Sequence, residues 1–153
     1  MHNKLLSVIT SAILVFSALV STAQAENQNL AKQIEIENPV VMQLAQGAKG
    51  TGSKMTIHNN TDEDLIIESF SSELFKMTML HSTKYESGKR VMFEIQSITI
   101  PAHKKLALTP NTHHLMLFNP LRKLVLGEFL TLKVTTNQGK FDIIAQVVPR
   151  RLK

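Results

Sequence analysis

Residues 105–118 read Lys-Leu-Ala-Leu-Thr-Pro-Asn-Thr-His-His-Leu-Met-Leu-Phe. Two short apolar runs are separated by a turn. Pro101 and Pro110 flank the first, Lys105–Leu108. Proline cannot donate to a ladder, so this short run suits a sheet edge. The second, His114–Phe118, alternates. Residues two apart on a strand share a face. Leu115 and Leu117 therefore claim the core side, and His114 and Met116 look away from it.

The same rhythm runs through the chain from Ile34 onward. Short apolar stretches recur every 8–12 residues or so between turn residues, as in a sandwich or barrel. The predicted strands are Ile34–Leu44, Ser53–Asn59, Leu65–Phe70, Phe75–His81, Arg90–Gln96, Lys105–Leu108, His114–Phe118, Leu130–Thr135 and Phe141–Val148. Gly47–Gly52 and Asn59-Asn60-Thr61-Asp62 read as breaks. Ser87-Gly88 and Asn137-Gln138-Gly139 read as hairpin tips. No long helical period follows residue 25, and there is no internal repeat. The fold class is all-β.

The N-terminus reads as a processing segment. Lys4 precedes an uncharged, mostly apolar run, Leu5–Val20, and Ala23-Gln24-Ala25 supplies a small-x-small cleavage pattern. The run is shorter than the roughly 20 residues that span a bilayer and contains Ser7, Ser11 and Ser17. Residues 1–25 are thus expected to be a cleaved signal peptide, leaving 128 of the 153 residues. Residues 26–38 would be an N-terminal spacer and the start of the first strand, with Glu26–Lys32 mostly polar. Residues 39–153 would be one domain, large enough to bury its own core.

The chain has no cysteine, although its export signal points to a compartment that permits disulfides. A lipid anchor on an N-terminal cysteine is not expected, on the same ground. The formal charge of +5 falls to about +4 without Lys4. Apart from Arg150, Arg151 and Lys153 the basic residues are scattered, and one Tyr and no Trp offer no stacking platform, so nucleic acid is not an expected partner. No nucleophile elbow or phosphate-cradling glycine loop occurs, so no enzyme is expected.

The residues that carry chemistry are His81, Met92, His114 and Met116, in the pattern H-x10-M-x21-H-x-M. Two imidazoles and two thioethers suit copper(I), whereas a zinc site would ordinarily draw on thiolates and carboxylates. A blue-copper centre needs a thiolate, which is absent. Four protein ligands leave no open position, which favours carriage over catalysis. Met92 is expected on an outer face beside Glu94, with Phe93 and Ile95 facing the core. For Phe75–His81 two phases are open. One turns Met77, Met79 and His81 outward; the other buries Phe75, Met77 and Met79. The first brings His81 to the other three. Met77 and Met79 read as packing residues, His113 as a residue behind the site, and Glu94 as a possible orienting group for a histidine.

On these four residues, and on Met55-Thr56-Ile57, Ile100-Pro101-Ala102 and His114-Leu115-Met116-Leu117, residues 39–148 resemble the PCuAC family of periplasmic copper chaperones. The resemblance implies a cupredoxin-like β-sandwich of Greek-key type. It implies copper(I) held by His81, Met92, His114 and Met116. It also implies a periplasmic copper-donating or copper-accepting partner, with delivery toward the CuA centre of cytochrome c oxidase or its assembly factor. Lys54 and His113 stand where the family often has aromatics, and Ser82 where it often has an acidic residue. The Met- and His-rich extension that some members use for copper(II) has no counterpart in residues 148–153. The alternatives are a general periplasmic copper buffer and a secreted β-sandwich interaction module with no metal role.

Overall fold

The computed structural model describes residues 24–150. The expected signal peptide, residues 1–25, lies outside the described residues except for its last two. Ten strands run through the described residues: β1 Ile34–Met42, β2 Gly50–Asn59, β3 Leu65–Ser71, β4 Phe75–Glu86, β5 Lys89–Glu94, β6 Ile98–Ile100, β7 Lys105–Leu108, β8 His113–Pro120, β9 Phe129–Thr136 and β10 Gly139–Val148. Among these residues no helix is long and apolar enough to cross a membrane.

The strands pair in the order β5-β4-β8-β2-β1-β10-β9-β3-β6, with β7 attached to β2 beside this path. Neighbours such as β4 and β8, or β3 and β9, are distant in sequence, as in Greek-key connections. β2 serves two partners: Gly50–Ser53 pair with β8 and Met55–His58 with β7. β1 pairs antiparallel with β2 and, from Val40, parallel with β10. Its register shifts between Glu37 and Val40, where Asn38 adopts a φ of 50°. Asparagine tolerates that left-handed conformation, and the adjoining Pro39 needs no ladder partner.

Period-two burial explains why these segments are strands. β2 alternates without exception, and β9 and β10 each bury every second residue. Ile57, Leu65, Ile67, Ile100, Leu108, Leu115, Leu117, Leu132 and Ile143 are fully buried between the folded-over halves of the sheet. Each such side chain contributes about 1.5–3 kcal/mol through removal from water. A buried polar anchor closes one corner. The Asn59 amide donates to the carbonyls of Glu63 (2.8 Å) and Ile100 (3.0 Å), and its oxygen accepts from the Thr61 hydroxyl (2.7 Å).

Several expectations need correction. Residues 24–33 are helical, where Glu26–Lys32 had read as a featureless spacer. Leu30 inserts into the core, and Asn27 Oδ1 accepts the Lys140 backbone N–H at 2.9 Å, so tertiary contacts hold a segment with little apolar pattern of its own. Gly50 and Gly52 lie inside β2, not in a break. Ile98–Ile100 forms a tenth strand that pairs with β3. Phe93 does not face the core: β5 is an edge strand, Phe93 is 40% exposed, and the Lys84 ammonium sits 5.2 Å from its ring centroid. The edge reading of Lys105–Leu108 agrees with β7, which pairs with β2.

Candidate metal centre

The register of β4 against β8 positions the site. Leu80 stands opposite Leu115, His81 opposite His114, and Met79 opposite Met116. Leu80 and Leu115 are buried, so the alternation turns His81, His114, Met79 and Met116 to the other face. Of the two phases open for β4, the structure therefore has the one that turns Met77, Met79 and His81 outward.

The two imidazoles stack, with ring centroids 5.7 Å apart and planes inclined by 18°. The Phe118 ring meets His81 edge-on at 6.5 Å. His114 looks away from Leu115 and Leu117 as its strand position requires, yet it is only 3% exposed, because His81 and the walls of a concavity cover it. That concavity, about 240 Å³, is lined by Met92, His114 and Met116, with Gly52, Pro110 and Arg90 among its walls. Met92 lies on β5 opposite Thr83 and is 52% exposed. The structure thus brings His114, Met116 and Met92 to one hollow and sets His81 against the ring of His114.

The polar details fit a soft cation. His114 Nδ1 donates to the Thr112 carbonyl at 3.3 Å, which makes Nε2 the lone-pair nitrogen. Desolvation lowers the His114 pKa below its ordinary value. The nearby charges of His81, Arg90 and His113 act in the same direction, against the opposing effect of the Thr112 hydrogen bond. A neutral ring is the form that binds a metal. His81 Nδ1 is buried with no hydrogen-bond partner, although Glu94 is its register neighbour. A buried polar atom without a partner calls for an explanation, and a bound cation would supply one. Two imidazoles and two thioethers are a chemically suitable donor set for copper(I).

Two contributors carried no signal in the sequence. The Thr112 carbonyl acts through the backbone. Met42, at the end of β1, reaches the hollow because β1 pairs with β2. Met79 lines a separate groove with Phe70 and Ile95. Met77 is 44% exposed, so it is not the packing residue the sequence suggested.

The family described as "Putative lipoprotein LpqE-like" matches residues 34–147. Among solved structures, the apo PCuAC domain from PmoF1 superposes with a TM-score of 0.66 at 22% identity, covering 76% of this chain and 94% of that one. The copper-bound PCuAC domain from PmoF2 gives 0.64 at 18% identity, over 76% and 93%. The CuI-DR1885 solution structure from Deinococcus radiodurans gives 0.62 at 24%, over 74% and 76%. At these identities the likeness is one of fold, and it makes the architecture a cupredoxin-like β-sandwich. No curated protein matches the chain in sequence.

Proposed function

The chain belongs to the LpqE-like family, and we propose that it carries copper(I) in the periplasm, holding one ion through His81, His114, Met92 and Met116 and passing it to a partner. The observation that carries this reading is the pairing of His81 with His114 across β4 and β8, with Met116 on the same face and Met92 in the same hollow. Copper is the cargo. With no thiolate to tune an electron-transfer centre, the set suits holding and release.

The half-exposed Met92 on an edge strand is the natural point of entry for an acceptor, because a thioether can be displaced by an incoming ligand without opening the core. The copper-bound PCuAC domain from PmoF2 and CuI-DR1885 share the fold, which supports the choice of metal. The resemblance of residues 39–148 to PCuAC chaperones supports the periplasmic setting and an acceptor at the CuA centre of cytochrome c oxidase or its assembly factor.

A copper(I) titration against a competing chelator tests the proposal. One ion should bind per chain, and His114→Ala and Met116→Ala should each weaken binding severely. A parent protein that binds no copper(I), or variants that bind as tightly as the parent, would reject it.

A further inference from the structure

Met42 shares the concavity with His114, Met116 and Met92, yet it lies outside the four-residue pattern. Its place follows from register. Val41 pairs with Ser53, and Ser53 pairs in turn with Leu115. One step further along, Met42 comes level with Gly52, and Gly52 pairs with Met116. Neighbouring strands are about 4.8 Å apart, so two methionines separated by a whole strand would normally be kept apart by the side chain between them.

Here that position is glycine. A Cβ at Gly52 would come within 2.9 Å of the Met42 methyl and 3.7 Å of the Met116 sulfur. The missing side chain is the space into which the two thioethers converge. Met42 is also held at its backbone: its carbonyl accepts the Thr51 hydroxyl at 2.5 Å, and the next N–H, of Gln43, donates to Val148 at 2.8 Å. A flexible thioether on a fixed backbone, beside the proposed donor Met116 and in a shared hollow, has the chemistry of a ligand.

We infer that Met42 is an additional copper(I)-binding thioether of this site, able to replace Met92 when a partner engages that exposed residue. The inference rests on the proposed copper function. It gives the site a reserve donor on the inner side, so the ion keeps its sulfur coordination while Met92 is displaced.

Methyl NMR of the full chain with 13C-labelled methionine, titrated with copper(I), should shift the Met42 ε-methyl together with those of Met92 and Met116. Met42→Leu preserves volume and should lower affinity roughly tenfold, the lower end of what groups around a metal site typically contribute. The Met42→Leu/Met92→Leu double variant should lose more than the product of the two single losses, because each methionine covers for the other. An unmoved Met42 methyl in a copper-loaded parent, or a double variant no worse than that product, would overturn the inference and leave the carrier function standing. A parent that takes up no copper(I) would reject the function itself and the Met42 role with it.

Discussion

His81 and His114 stand directly opposite each other on β4 and β8, rings stacked 5.7 Å apart, and their strand neighbours Leu80 and Leu115 meet on the reverse face. One register therefore fixes both the core contact and the pairing of the two imidazoles. A slip of either strand by a single residue would send its imidazole into the core and its leucine out. The site is as well defined as the sandwich, because the same ladder builds both.

That burial sets the pH response. His114 has its pKa lowered below the value it has in an unfolded chain, about 6.5, chiefly by desolvation. Its contribution to stability is therefore fully present above about pH 6.5 and is lost as pH falls through the lower folded value. Urea unfolding of the apo-protein should show stability falling with acidification below that point, with a shallower fall in His114→Gln. Copper(I) affinity should weaken as pH falls through that lowered folded value, where protons compete for the His114 imidazole. An affinity unchanged across the pH range over which His114 titrates in the apo-protein would argue against its ligation.

Met92 offers a way to separate binding from folding. Its side chain is half exposed on an edge strand, so Met92→Leu should alter stability by less than about 0.5 kcal/mol. The same variant should weaken copper(I) binding by about tenfold without abolishing it. Chelator competition and thermal melts on one preparation would decide this. A large drop in melting temperature would mean that Met92 packs rather than binds.

Alternation made much of this molecule readable in advance. Leu115 and Leu117 announced the core face of β8, and the prolines around Lys105–Leu108 announced an edge. What could not be read depends on partners distant in sequence. Met42 meets Met116 only through the β1–β2 and β2–β8 registers. Phe93 alternates correctly with Met92, but an edge strand leaves its apolar face uncovered. β6 is three residues long, too short to show a period. The helical stretch over residues 24–33 has Leu30 as its one core anchor, so the polar sequence around it gave no amphipathic signal.

Leu115 carries a second prediction about stability. It is fully buried, between Leu80 on β4 and Ser53 on β2 in the sheet. Leu115→Ala should cost about 2–5 kcal/mol, the range for a buried leucine truncated to alanine. Because its neighbours in sequence are His114 and Met116, copper(I) should partly restore the melting temperature by binding only the folded state. Recovery should grow with copper(I) concentration. Its absence would show that the site does not survive the cavity.

Gly50 tests how closely the backbone of β2 must approach the site face. A Cβ there would fall 2.5 and 2.7 Å from two ring carbons of Phe118 and 3.3 Å from the Leu117 carbonyl oxygen. An aromatic ring cannot yield as a flexible side-chain end can, so Gly50→Ala must displace Phe118, which abuts His81 edge-on. We expect a loss of about 1–3 kcal/mol, as for other overpacked sites. The His81 ring resonances should shift as well, since they sense the aromatic ring. Pairing Gly50→Ala with Phe118→Leu should recover much of the stability, because the smaller side chain leaves room for the methyl. If the double variant were as unstable as the sum of the two single changes, the cost would lie in the strand backbone and not in the ring.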